Sequence, residues 1–159
     1  GDSGTLDKCR PLLETMGKEI HHVGEVGQGK VVKIVNQLLA AVHLLIIGEA
    51  FSLGVKSGAD PQTLYEVVKR SSGYSRMMDL RLPGFLFESS FDPGFKLDLM
   101  KKDLDLAVDS ARNSGVPLLL GGLTQQIFTA LSTAGEGTKD FSKAADFLAG
   151  LGRVHLGGR

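Results

Sequence analysis

The stretch GKVVKIVNQLLAAVHLLIIGEAFSLGVKS, Gly29 to Ser57, decides the fold. It holds no proline, and its only interior glycines are Gly48 and Gly54, so nothing stops a helix from running its whole length. At about 1.5 Å per residue that helix spans on the order of 40 Å. Apolar residues cover most of its circumference, as expected of a central helix enclosed by others. A membrane span needs roughly 20 predominantly apolar residues. The run between flanking charges, Ile34 to Gly48, is shorter and carries Asn36, Gln37 and His43. The expectation is a buried helix of a soluble protein, with no membrane partner.

Working outward, Gly58-Ala59-Asp60-Pro61 supplies a stop, a cap and a proline at the first position of a new helix. That helix runs to about Arg70, and another runs from about Ser75 to Leu82, where Pro83-Gly84 should end it. Phe85 to Phe95 reads as an irregular aromatic loop. Leu97 to about Ser114 is helical, with Leu99, Leu104, Leu106, Ala107, Val108 and Ala111 as its expected buried side. Pro117 to about Thr133 and Asp140 to Leu148 complete the helices. Upstream, a helix from Leu6 to about Met16, with Thr5 as cap, precedes a strand-like piece, Glu19 to Val23. One helix and one strand cannot form a sheet. The predicted organisation is therefore an α/β remnant of a larger domain over 1–26, an all-α domain over 27–150, and a frayed tail over 151–159.

Eighteen basic residues balance eighteen acidic ones, so the chain lacks the basic surplus of a nucleic-acid binder. The single cysteine, Cys9, cannot form an internal disulfide, and a reducing cytoplasm is the expected setting. The opening Gly1-Asp2-Ser3-Gly4 is not apolar, and no secretory leader is expected there. His21, His22, His43 and His155 show no zinc-ligand spacing. They and Met77-Met78 are read as structural, and no metal site is expected.

Chemistry concentrates in Gly24-Glu-Val-Gly27-Gln-Gly29-Lys-Val-Val-Lys33-Ile-Val-Asn36-Gln37. Glycines feed a helix whose first turns put Lys33 and Asn36 three residues apart, on one face. A helix amino end presents unpaired N–H groups and a partial positive charge, which favour a carboxylate. A lysine there, once desolvated, can give a proton to a carbonyl oxygen or take one from an alcohol. The neighbouring asparagine can donate to the same substrate. The segment is not a dinucleotide fingerprint, because Val32 stands in the place of the third glycine and no βαβ unit follows. A second segment, Phe91-Asp-Pro93-Gly94-Phe95-Lys-Leu-Asp-Leu-Met-Lys101-Lys102-Asp103-Leu104, reads by itself as a turn followed by a charged helix.

Taken together, the two segments resemble the β-hydroxyacid dehydrogenases, the family of 3-hydroxyisobutyrate dehydrogenase and tartronate semialdehyde reductase. Gly48-Glu49-Ala50, Ser57-Gly58-Ala59-Asp60-Pro61 and Val116-Pro117-Leu118 follow in order. Pro11 to Lys18 looks like the last helix of the family's cofactor domain, and Ile20 to Val23 like its last strand. The resemblance implies a bundle like the carboxy-terminal domain of 6-phosphogluconate dehydrogenase, built around one long central helix. It implies Lys33 as catalytic lysine, Asn36 and Asp103 as substrate-binding residues, and Phe95 and Lys102 as cofactor-facing residues. NAD or NADP is the implied cofactor, bound mainly by a domain outside this chain. A small β-hydroxyacid or its semialdehyde is the implied substrate, and a homodimer or homotetramer the implied assembly. Gln37 stands where many members have a second asparagine. Two other readings compete: a non-catalytic oligomerisation module of the same fold, disfavoured by the presence of Lys33 and Asn36, and the 6-phosphogluconate dehydrogenase branch, which expects a histidine where Asn36 stands.

Overall fold

A computed structural model describes residues 1–157. Its contacts divide the chain into two units, Gly1–Asn36 and the remainder from Gln37 onward. The helix α2, Gln28–Lys56, contains the division.

The first unit opens with α1, Ser3–Glu14. Its cap is Asp2 rather than Thr5: the Asp2 carboxylate accepts the Thr5 N–H at 2.7 Å and the Thr5 hydroxyl at 2.8 Å. That leaves α1 starting earlier than its apolar pattern suggests, with Pro11 inside it and no buried residue. The expected strand at Glu19 to Val23 does not form, and no strand is present among the described residues. A strand is a pairing, and this segment has no second strand to pair with. Its anchors are local: the amino terminus donates to the Gly24 carbonyl, and His22 Nε2 contacts the Gly1 carbonyl. Gly27, at φ +99°, makes the turn into α2, a backbone setting that a Cβ would strain.

The second unit holds the core. Ala41, Leu44, Leu45, Ile47 and Phe51 of α2 are buried with Met78, Leu82, Leu97, Met100, Leu104 and Phe128. By length and composition α2 would also suit a membrane span; the burial of these side chains is what makes it a core helix. It is not enclosed all round, since Leu39, Ile46 and Leu53 remain exposed. After it come α3, Pro61–Val68, capped by Asp60 through the Thr63 N–H at 2.8 Å, and α4, Arg76–Arg81. Pro83-Gly84 does not end the chain's coiling. A π-helical turn, Leu82–Leu86, carries on through Pro83 and buries Leu82 and Leu86.

The helix α5, Leu97–Ser114, runs as the sequence predicts. Its buried face differs: Leu97, Met100, Asp103, Leu104 and Ala107 point inward, while Leu99 and Leu106 are exposed. Leu97, Met100, Leu104 and Ala107 follow 3-4-3 spacing with Asp103 on the same side, and that periodicity outweighs the preference for leucine over methionine or aspartate at any one site. Helix α6, Leu119–Leu131, packs along α5, and Gln125 donates to Asp105 at 2.7 Å between them. A second π-helical turn, Ser132–Glu136, leads to α7, Lys143–Leu151. The tail read as frayed is seated as far as it is described. Val154 and Leu156 are buried, and Lys56 donates to the Gly152 carbonyl at 3.1 Å. Two apolar residues with a core within reach are enough to hold it. The last two residues of the expected tail lie outside the described ones.

Candidate functional site

In the first unit, Lys33 and Asn36 sit on the opening turns of α2, one helical step apart on the same face, and both are exposed. The turn at Gly27 starts the helix, its carbonyl accepting the Lys30 and Val31 N–H groups at 2.9 and 3.2 Å. The side chains implied as catalytic and substrate-binding are thus held on a regular helix rather than a loop. An exposed ammonium beside an amide can present donors to a carboxylate or to a hydroxyl oxygen.

In the second unit, α5 places Lys102 and Asp103 at consecutive positions with different fates. Asp103, implied by the resemblance as a substrate-binding residue lining the cleft, is buried, its side chain only 3% exposed. Its Oδ2 accepts from Gln37 Nε2 at 3.1 Å, and Lys102 Nζ lies 3.3 Å from its Oδ1. A buried carboxylate requires such partners, because desolvation without them costs several kcal/mol by order of magnitude. The arrangement explains why glutamine serves at position 37: its longer arm reaches an acceptor on α5. The Lys102 side chain is itself exposed.

Phe95 is half-buried just before α5, its ring edge-on to Phe141 with centroids 5.9 Å apart. The segment that carries it is bound to the one before α7 by a row of backbone hydrogen bonds. Asp140 N–H donates to Phe91, Phe141 N–H to Phe95, Leu97 N–H to Lys139 and Asp98 N–H to Gly137, all at 2.8–3.0 Å. The amino end of α5 has no side-chain cap, and these carbonyls satisfy its first N–H groups instead.

One feature of this region escapes sequence reasoning. Asp140 is fully buried, and Arg81 reaches it from α4 with Nε 3.3 Å from Oδ1. The guanidinium lies between the rings of Phe85 and Phe141, 4.8 and 4.7 Å from their centroids. Nothing in the spacing of an arginine and a distant aspartate marks them as partners. Only the crowd of phenylalanines around Phe85 to Phe95 hints that something planar is held there.

These residues allow a test of the fit to a nicotinamide dinucleotide. The described residues include no glycine turn between a strand and a helix of the kind that cradles a pyrophosphate. What they offer is an exposed ammonium, Lys102, suited to a phosphate or ribose oxygen, and the half-buried ring of Phe95. That donor set fits the rim of such a cofactor.

Comparison with known proteins bears on the same segments. The chain is 41% identical over 154 residues to a probable mitochondrial 3-hydroxyisobutyrate dehydrogenase of Dictyostelium discoideum, covering 93% of this chain and 48% of that protein. It is 40% identical over 137 residues to the 2-(hydroxymethyl)glutarate dehydrogenase of Eubacterium barkeri, covering 86% of this chain and 46% of that one. The crystal structure of a 3-hydroxyisobutyrate dehydrogenase from Salmonella typhimurium superposes with a TM-score of 0.83 at 30% identity, over 92% of this chain and 52% of that chain. This chain spans about half the length of the curated relatives it matches. Residues 27–148, which hold every candidate position named above, match the family described as NAD-binding of NADP-dependent 3-hydroxyisobutyrate dehydrogenase, and the chain belongs to that family of β-hydroxyacid dehydrogenases.

Proposed function

We propose that this chain is the substrate-binding and subunit-contact part of an NAD(P)-dependent oxidoreductase that interconverts a small β-hydroxyacid and its semialdehyde. On this reading residues 1–26 belong to the cofactor domain, residues 27–150 form a bundle of the 6-phosphogluconate dehydrogenase carboxy-terminal type, and copies assemble through it as a homodimer or homotetramer. The observation that carries the reading is the family match, together with the exposure of Lys33 and Asn36 side by side on the opening turns of α2. The names of two relatives support the substrate class. 2-(Hydroxymethyl)glutarate and 3-hydroxyisobutyrate both carry a hydroxymethyl group on the carbon next to a carboxylate.

When bound, the nicotinamide supplies or removes a hydride at the carbon of the substrate's hydroxyl or carbonyl group. Lys33 gives its proton to the carbonyl oxygen during reduction and takes the hydroxyl proton during oxidation. Asn36 donates its amide to the substrate and fixes its orientation. Asp103, below the surface, holds Gln37 and Lys102 in place. Lys102 and Phe95 would face the cofactor when it is bound.

The test uses the complete enzyme. Replacing Lys33 with alanine should lower kcat by about 10²- to 10⁴-fold, the usual contribution of a general acid–base group, with a smaller effect on KM. Lys33→Arg should lose kcat as well, because arginine keeps its charge but does not release a proton near neutral pH. Retention of most of kcat by Lys33→Arg would reduce the lysine to an anchor for the carboxylate. As a control, residues 1–159 alone should show no turnover with either cofactor; turnover in a preparation free of host enzymes would overturn the assignment of a separate cofactor domain.

A further inference from the structure

We propose that Arg81 and Asp140 are a positioning pair that fixes Phe95, an inference that rests, for its effect on turnover, on the reading of Phe95 as cofactor-facing. The pair reaches Phe95 by two routes, one direct through Asp140 and one through the Phe141 ring. Asp140 Oδ2 accepts the Phe95 N–H at 2.9 Å, while Oδ1 accepts the Ser142 N–H at 2.9 Å and meets Arg81. The Arg81 guanidinium, held between Phe85 and Phe141, presses on the ring against which Phe95 stands edge-on. Backbone and side chain of Phe95 are therefore located by one ion pair.

The chemistry of burial argues that the pair does more than fill space. Asp140 is fully buried and the Arg81 side chain is 15% exposed. Ions so placed are expensive to desolvate, and apolar residues of similar volume often serve stability as well or better. An apolar pair could not accept the Phe95 N–H, however. Gly94 leaves little slack, because a Cβ there would come within 3.4 Å of Asp140 Oδ2 and 3.3 Å of the Phe85 ring. The carboxylate thus sets where the chain turns before α5, and α5 carries Lys102 and Asp103.

The experiment compares Asp140→Asn, Arg81→Lys and the double variant Arg81→Met/Asp140→Leu with the parent enzyme. Amide hydrogen exchange at Phe95, cofactor KM, kcat and melting temperature are read on each. Asp140→Asn keeps the acceptor for Ser142 and turns a donor toward the Phe95 N–H. Exchange at Phe95 should accelerate while the middle of α5 stays protected. Cofactor KM should rise about tenfold, the equivalent of one lost hydrogen bond of about 1.4 kcal/mol, with kcat changing less. The double variant should recover stability without recovering KM. Arg81→Lys, which keeps the charge and loses the planar stack, covers the case in which Asp140→Asn does not fold, and should show the same KM rise in milder form. A fall in melting temperature with Phe95 exchange and KM unchanged would overturn the proposal and leave the pair merely structural. Accelerated exchange at Phe95 in an enzyme whose parent turns over no hydroxyacid would uphold the positioning and sink the dehydrogenase reading instead.

Discussion

Asp79 shows what single residues settle in this molecule. Its two carboxylate oxygens accept the hydroxyls of Tyr65 and Tyr74, each at 2.7 Å, and Lys69 lies 3.3 Å away while donating to Tyr65 at 3.0 Å. The Tyr65 hydrogen bond first, then that of Tyr74, holds the Asp79 carboxyl below the usual carboxylate range, outweighing desolvation. The hydrogen bond to Tyr65, followed by Asp79 itself, pushes the Lys69 ammonium up. A depressed carboxyl contributes stability that is present above its unfolded value of about 3.9 and lost as pH falls through the folded value. A raised ammonium contributes stability that is present below about 10.5 and lost as pH rises through the folded value. Tyr74→Phe should therefore melt below the parent at neutral pH, and the gap should close as pH falls below about 4. A gap independent of acid would mean that Tyr74 acts through packing alone. The same scale shows what was legible in the sequence. Lys33, Asn36, Phe95, Lys102 and Asp103, in their motif-bearing segments, were legible as candidates. The partners Gln37–Asp103, Arg81–Asp140 and Tyr65–Asp79 were not legible, because no spacing rule links side chains that meet only after helices pack.

At the scale of elements, local signals placed most boundaries. Asp60-Pro61 starts α3 and Leu97–Ser114 is a helix as its period demands. Two kinds of boundary resisted. The π-helical turn through Pro83 follows from the burial of Leu82 and Leu86, a tertiary fact that overrides proline's reputation as a stop. The strand at Glu19 to Val23 fails because it needs a neighbour. Helix crossing likewise shows only in three dimensions. Gly48 of α2 sits against α7, and a Cβ added there would lie 2.8 Å from the Ala145 carbonyl oxygen and 2.9 Å from its Cα. Backbone cannot swing aside as a side chain can. Gly48→Ala should destabilise by about 1–3 kcal/mol, even though alanine favours the helix by roughly 1 kcal/mol. Gly54→Ala is the contrast: its Cβ would meet only Leu64 Cδ2, the mobile end of a side chain. Thermal denaturation should show a clear loss for the first and little change for the second. Equal losses would mean that helix α7 gives way as readily as a leucine methyl.

For the molecule as a whole, the apolar surface is the decisive quantity. Leu39, Ile46 and Leu53 recur every seven residues on α2, hence along one face, and are 52%, 53% and 71% exposed. Beside Ile46 an apolar groove of about 280 Å³ is lined by Ile47, Ala50, Phe51, Leu64 and Val68. Helix α6 leaves Leu119, Leu120 and Leu123 uncovered as well. Isolated exposed leucines mean nothing, but a seven-residue stripe along a helix is the pattern by which one helix seats another. The proposed assembly through the helical domain should use it. Changing Leu39, Ile46 and Leu53 to glutamate together removes the stripe and spares the fold, since none of the three belongs to the core. Light scattering at micromolar concentration should give at least twice the chain mass for the parent and one chain mass for the triple variant, with helical content by circular dichroism unchanged. A monomeric parent would refute assembly through this domain. A triple variant that stays assembled would move the contact away from the α2 stripe, with the uncovered leucines of α6 the next surface to change.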